Sequence, residues 1–145
     1  MIDKSTGELV LTDTLRIGPW LSHRQFLSSP LYKRATSLIH NEGWHSYRIE
    51  PTIINQHKFY IRLQFLHSTL KWIDFVAGGG VDIDESEQQR IHDRLLEGWL
   101  GTGPYEYEWG DVVSSYDPRS DSSSVIVSYK NNERGIFSRL FSKRF

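Results

Sequence analysis

Residues 57–66, HKFYIRLQFL, decide the fold class of this chain. Apolar residues stand at every second position from 59 to 65, with tyrosine or polar residues between them. Alternation of this kind is typical of a β-strand that buries one face and exposes the other. The stretch therefore predicts a sheet that packs on one side. The residues predicted to face the core are Phe59, Ile61, Leu63 and Phe65.

The neighbouring segments extend this strand into a sheet. Residues 44–49, WHSYRI, predict the strand before it, and residues 69–77 predict the strand after it, across a two-residue connection suited to a hairpin. The apolar positions of 69–77 break strict alternation, which predicts a bulge or burial on both faces. Two further strands are predicted at 105–116 and 123–130, on either side of the polar loop DPRSDSS.

Two segments carry helix signals. Ser22 is suited to cap a short helix through HRQFL, because Gln25 occupies the capping-box position. Residues 85–100 place apolar side chains at helical spacing. Asp84 is a suitable N-cap for this second helix, and Gly101 is a suitable residue to follow it.

The chain shows no internal repeat, low-complexity tract or Pro-rich linker, and its 145 residues suit one hydrophobic core. We therefore predict a single domain over residues 1–145. Its class is α+β, with a mainly antiparallel sheet of about five to six strands and two or three helices packed on it. Residues 131–145 are a basic amphipathic segment. We expect this segment to pack on the domain, so that its deletion lowers thermal stability.

The composition excludes several classes of protein. The chain has no cysteine, which excludes disulfides, thiolate nucleophiles and sulfur-ligated zinc and suits a reducing cytosol. No apolar run approaches the roughly 18 residues that span a bilayer, and the N-terminus lacks the apolar region of a signal peptide. We therefore expect a cytoplasmic protein with no membrane partner.

A net charge of −1 conceals three segments of different charge. Residues 82–121 carry eleven Asp and Glu against three Arg, whereas residues 1–81 and 122–145 are both basic. A concentrated acidic block attracts a basic partner and disfavours nucleic acid at that surface. The same block is also compatible with acidic helices and loops that serve only solubility.

No motif for catalysis or cofactor binding is present. None of the six histidines stands in HExxH or another short ligand spacing, so we expect no metal and histidines that are hydrogen-bonded or face solvent. An aspartate-rich stretch starts like a calcium loop, but Glu87 occupies the position that requires glycine. The GGG stretch lacks the Lys-Ser/Thr of a phosphate-binding loop, and no cofactor is expected. Glu106 and Glu108, on one strand face, are a weak acid–base candidate because paired exposed carboxylates are usually solvated.

Residues 104–129, PYEYEWGDVVSSYDPRSDSSSVIVSY, carry the most unusual constellation. Tyr105, Tyr107 and Trp109 are predicted on one strand face, and Gly110 permits a bulge after them. The next turn presents a proline, an arginine and two carboxylates. Aromatic and Arg anchors ringed by acids are typical of protein interfaces, although a core strand with a polar turn is the alternative. The predicted partner-binding residues are Trp109, Asp111, Tyr116, Asp117, Arg119, Asp121, Asp84, Glu85, Glu87, Glu106 and Glu108.

Three stretches carry a resemblance: SxxxFLSSPL at 22–31, YIRLQFLHSTLKWIDF at 60–75 and WGDVVSSYDPRSDSSSVIVSY at 109–129. Over most of residues 8–130 the chain resembles small bacterial immunity proteins encoded beside polymorphic toxins of the Rhs and contact-dependent inhibition kinds. The resemblance implies a cytosolic, non-enzymatic inhibitor. Such a protein binds one cognate toxin domain, in a one-to-one complex, and blocks its active site. The resemblance transfers no catalytic residue.

Two other functions stay open at this point. The chain is alternatively a small enzyme that uses a Glu/His acid–base pair, for example to reverse a toxin's modification. A third interpretation is an adaptor that uses the basic tail, 130–145, on a membrane surface or on nucleic acid. Turnover without stoichiometric binding would indicate the enzyme. Activity that survives loss of the acidic carboxylates would indicate the adaptor.

Overall fold

Nine strands and two α-helices are present in the part of the chain that a computed structural model describes. The described residues are 1–54, 56–78, 84–119 and 122–130, without the side chains of Glu85 and Ser122. In chain order the elements are β1 (Leu9–Val10), β2 (Arg16–Ile17), α1 (His23–Leu27), a 3₁₀-helix (Pro30–Arg34), β3 (Ala35–Asn41), β4 (Trp44–Ile54), β5 (His57–Leu66), β6 (Thr69–Ala77), α2 (Glu85–Leu100), β7 (Glu106–Tyr107), β8 (Gly110–Asp117) and β9 (Ser122–Tyr129).

Seven of these strands form one antiparallel sheet, in the order β3-β4-β5-β6-β9-β8-β7. The remaining two, β1 and β2, pair with each other. The α+β class and the mainly antiparallel sheet are confirmed, but the sheet has more strands than the five to six predicted. The strands that the sequence did not indicate are short or exposed. β3, for example, is an edge strand with six exposed residues and no alternation of burial.

The central hairpin of β5 and β6 has the predicted pattern. The four core residues of β5 are fully buried, whereas Tyr60 and Arg62 between them are exposed. The predicted irregularity in β6 is present, because Gln64 pairs with Trp72 while the next residue, Phe65, pairs with Leu70. One residue of β6 is therefore left over, as a bulge requires.

Both α-helices cover the same face of the sheet. α1 begins at Ser22 with the predicted capping box and places Phe26 against Tyr47 and Phe65, at ring distances of 4.7 and 5.4 Å. α2 begins at its predicted N-cap, Asp84, and packs on β9, β6 and β8. The opposite face of the sheet is not covered by any element in the described ranges.

One predicted strand is divided in two. Residues 105–116 do not form one strand, because the chain turns back at 108–109 between β7 and β8. Gly110 opens β8 instead of forming a bulge, and it has a φ of 153°. A Cβ at this position would lie 1.7 Å from the carbonyl oxygen of Ser128, so only glycine allows the two strands to approach here. The prediction for the tail, 131–145, lies outside the described residues.

Candidate functional site

The predicted partner-binding residues fall at the two ends of β8. This strand has eight residues and is about 24 Å long at the usual rise per residue. The structure therefore does not bring the predicted residues into one surface. Asp121 and the side chain of Glu85 lie outside the described residues. We call one group the Trp109 end (Glu106, Glu108, Trp109, Asp111) and the other the turn end (Asp84, Glu87, Tyr116, Asp117, Arg119).

The turn end forms because α2 is attached to the beginning of β9. The side chain of Gln88 donates to the carbonyl oxygen of Ala77 at 3.1 Å and accepts from the backbone N–H of Ser123 at 3.5 Å. One turn later, His92 hydrogen-bonds the side chain of Ser123 at 3.1 Å. Ser123 pairs with Tyr116 in the sheet. These contacts place the acidic first turn of α2 next to the last residues of β8.

Two carboxylates of the turn end, those of Asp84 and Asp117, accept local hydrogen bonds. One oxygen of Asp84 accepts from the backbone N–H of Glu87 and the hydroxyl of Ser86, both at 2.9 Å. These bonds lower the pKa of Asp84, chiefly through the Glu87 N–H, so that the exposed carboxylate stays charged. Asp117 accepts from the backbone N–H of Arg119 at 2.9 Å, which fixes the turn.

Arg119 presents an exposed guanidinium group at the tip of the β8–β9 hairpin. It makes no ion pair within 4.0 Å with any residue that the structure describes. Asp117, two residues earlier in the chain, accepts a hydrogen bond from the backbone N–H of Arg119. The Arg119 side chain is therefore available to a partner carboxylate as far as the described residues are concerned.

Trp109 has a structural role at the other end of β8. Its side chain is only 6% exposed, and its indole N–H donates to the carbonyl oxygen of Lys4 at 2.8 Å. The ring lies over Gly7, where a Cβ would come within 2.5 Å of it, and is stacked on Tyr107 at 5.0 Å. Trp109 thereby fastens the N-terminal loop to the sheet. This packing does not test the prediction that Trp109 binds a partner, but it leaves little of the ring exposed for a partner to contact.

Two acids of the Trp109 end lie on the uncovered face of the sheet. Glu106 on β7 pairs directly with Asp111 on β8. Two neighbouring carboxylates repel each other, and a cationic partner would relieve that repulsion. Glu106 and Glu108 are both exposed, and neither hydrogen-bonds a histidine within the described ranges. The geometry therefore gives no support to a Glu/His acid–base pair at this position.

Three histidines form a cluster between α1, β3 and β4. His23 is stacked on His45 at 4.3 Å and hydrogen-bonds the Tyr47 hydroxyl at 2.6 Å. His45 shares a 2.7 Å hydrogen bond between Nδ1 atoms with His40, which also bonds Ser37. Burial lowers the pKa of His23, and the two neighbouring histidines lower it further. No group of three or more His, Asp or Glu among the described residues is placed to hold a metal ion.

The spacing of apolar residues at 90–99 predicts a helix and indicates no binding surface there. The structure shows that Arg90 and Arg94 line a groove on α2 that begins at Glu87, and so adjoins the turn end. The signal was the spacing of four residues, which puts both arginines on one side of a helix. The spacing could not show whether another part of the protein packs on that side of the helix.

The fold defines an α+β domain in which two helices cover one face of an antiparallel sheet. No protein-family model and no curated protein matches the sequence. The structure is similar to a chain of the solved complex of Rhs1-CT with the cognate immunity protein RhsI1, with a TM-score of 0.61. The two chains are 13% identical, and the likeness covers 97% of this chain and 96% of the other. At this identity the likeness establishes the fold. No helix in the described ranges is long and apolar enough to cross a membrane.

Proposed function

We propose that this chain is an immunity protein. It binds one cognate toxin domain in the cytoplasm, in a one-to-one complex, and blocks the toxin's active site without catalysing a reaction. The observation that carries the proposal is the likeness, along nearly its whole length, to a chain of a complex that includes an immunity protein. The resemblance of three sequence stretches to immunity proteins supports the same conclusion independently.

The turn end supplies the physical means of such binding. Asp84, Glu87 and Asp117 are exposed carboxylates on two elements that share the anchor Ser123. An acidic surface of this kind accelerates the encounter with a basic partner. Tyr116 and Arg119, both exposed beside these acids, belong to the residue types that contribute most to binding free energy.

Stoichiometry tests the proposal directly. The purified chain is titrated against the toxin domain encoded in the neighbouring reading frame, and residual toxin activity is measured at each ratio. We expect inhibition to saturate at one chain per toxin domain. Full protection at a small fraction of the toxin concentration would contradict the proposal and favour an enzyme that reverses the toxin's effect.

Charge variants locate the contact. Asp84→Asn with Glu87→Gln removes two charges from the turn end, and asparagine preserves the N-cap. The matched control, Asp93→Asn with Glu97→Gln, removes two charges from exposed positions further along the same helix. We expect the first pair to slow association several-fold at low salt, and the control pair to slow it less. Equal effects of both pairs would mean that only net charge matters and that the turn end is not the contact.

A further inference from the structure

A groove of about 530 Å³ runs along α2, next to the turn end. Its apolar lining includes Ile91 and the indole ring of Trp99, which is packed on Phe75 at 6.2 Å and is only partly buried. Arg90 and Arg94 line the same groove. The groove thus offers cationic and apolar surface together.

The two arginines of the groove are not neutralised by contact. Neither makes an ion pair within 4.0 Å with a residue in the described ranges. Arg90 acts only at longer range, where its charge helps to keep Asp84 ionised. His57 and Glu87 also line the groove, and Glu87 is the one carboxylate among the lining residues that the structure describes. That described lining therefore holds two arginines and one carboxylate.

Gly98 provides a separate observation. It lies inside α2, where glycine lowers helix stability relative to alanine, and it lines the groove. A Cβ at this position would meet no atom within 4 Å. Nothing inside the described protein therefore requires a glycine here. Its bare backbone keeps the groove open to atoms from outside the chain.

We propose that this groove receives an acidic segment of the toxin domain that carries an apolar side chain. The inference rests on the proposed function and adds the chemistry of the partner. Each guanidinium is suited to a bidentate bond with a carboxylate, and Trp99 offers a ring face to the apolar side chain. A partner would then meet the acidic turn end with basic groups and the adjoining groove with acidic ones.

Substitutions in the groove test this inference with opposite effects on stability and affinity. Gly98→Leu fills the groove and favours the helix, so it should raise the Tm while weakening toxin binding about tenfold or more. Arg90→Gln with Arg94→Gln should weaken binding to a similar degree. The matched control is Arg24→Gln with Lys33→Gln, which removes two exposed cations from α1 and the 3₁₀-helix. It should leave affinity within about twofold of the unmodified chain.

A peptide titration separates failure of the groove from failure of the proposed function. A blocked peptide of sequence Glu-Leu-Glu-Glu is added to the ¹⁵N-labelled full chain, and a Lys-Leu-Lys-Lys peptide is the control. We expect saturable shifts at the Gly98 amide and the Trp99 indole with the acidic peptide only. If the toxin domain binds and the groove variants bind equally well, the inference is wrong while the proposed function stands. If the toxin domain does not bind, the proposed function is wrong. If the acidic peptide causes no shifts, the inference about the groove is wrong.

Discussion

A single buried histidine should make the stability of this protein depend on pH. The ring of His92 is fully buried in α2, and its Nε2 accepts from the backbone N–H of Ala77 at 2.9 Å. The ring proton is therefore on Nδ1, which donates to the hydroxyl of Ser123 at 3.1 Å. Burial lowers the pKa of His92 to about 4, because the charged ring loses its hydration.

The size of the effect follows from that pKa. A pKa of about 4 in the folded protein, against 6.5 in the unfolded chain, corresponds to about 3 kcal/mol of unfolding free energy. The unfolded chain takes up a proton below pH 6.5, and the folded protein takes it up only near pH 4. The stability contributed by His92 is therefore complete above pH 6.5 and is lost as the pH falls from 6.5 to 4.

Urea unfolding at pH 7 and at pH 4.5 measures this loss against a variant. Between these pH values the unmodified chain should lose about 2 kcal/mol more unfolding free energy than His92→Gln, which cannot titrate. His23, whose pKa is also lowered, is present in both proteins and cancels.

Parallel pH dependence in the unmodified chain and His92→Gln would refute the assignment. If His92→Gln does not fold, the ring is titrated in the unmodified chain by following its Hε1 resonance. A midpoint at or above pH 6 would then refute it equally well.

Three further predictions concern single side chains. Trp109→Ala should lower the unfolding free energy, measured in urea, by about 3–5 kcal/mol. Trp20→Ala removes a half-exposed ring and should lower it by less than half as much. Equal losses would contradict the structural role of Trp109. Asp84→Ala should lower the Tm while Asp84→Asn preserves it, and identical melting curves for the two would remove the capping role. Arg119→Ala should weaken toxin binding by about 1–3 kcal/mol and leave the Tm unchanged. The control, Arg24→Ala, should leave the binding free energy unchanged. If Arg119→Ala binds the toxin as tightly as the unmodified chain does, Arg119 is not part of the interface.

The core of the fold was predictable because its signals are local. Each second residue of β5 is buried, and this period-2 pattern is visible in ten residues of sequence. The ends of α2 were also predictable, because an N-cap and a terminal glycine are properties of single positions. β3 was missed since an edge strand with an exposed surface has no such pattern.

The division of the predicted strand 105–116 near Trp109 has a different cause. The burial of Trp109 depends on a contact with Lys4, 105 residues earlier in the chain, and no local pattern contains that information. Within residues 104–109 the aromatic residues alternate as they would in one strand. The structure instead turns the chain at 108–109 and places the Trp109 ring against Gly7 of the N-terminal loop.

The predicted acidic residues are divided between the two ends of β8 for a topological reason. Sequence proximity joined Glu106 with Asp117, but the two lie near opposite ends of the β7–β8 hairpin. Asp84, more than thirty residues from Asp117, is brought to the same end by the bonds of α2 to Ser123. In an antiparallel sheet, residues far apart along one strand are distant, whereas residues paired across strands are neighbours. The strand pairing, and not proximity in sequence, therefore decides which charged residues share a surface.

The bonds to Ser123 also bear on how the turn end would bind. The first turn of α2 and the β8–β9 hairpin carry its charges, and Gln88 and His92 hold both elements to the same residue. A surface that is already ordered loses less conformational entropy when a partner binds. Gln88→Ala should therefore weaken toxin binding although Gln88 is not itself proposed as a contact. The loss should appear together with a lower Tm, whereas loss of a direct contact such as Arg119 leaves the Tm unchanged.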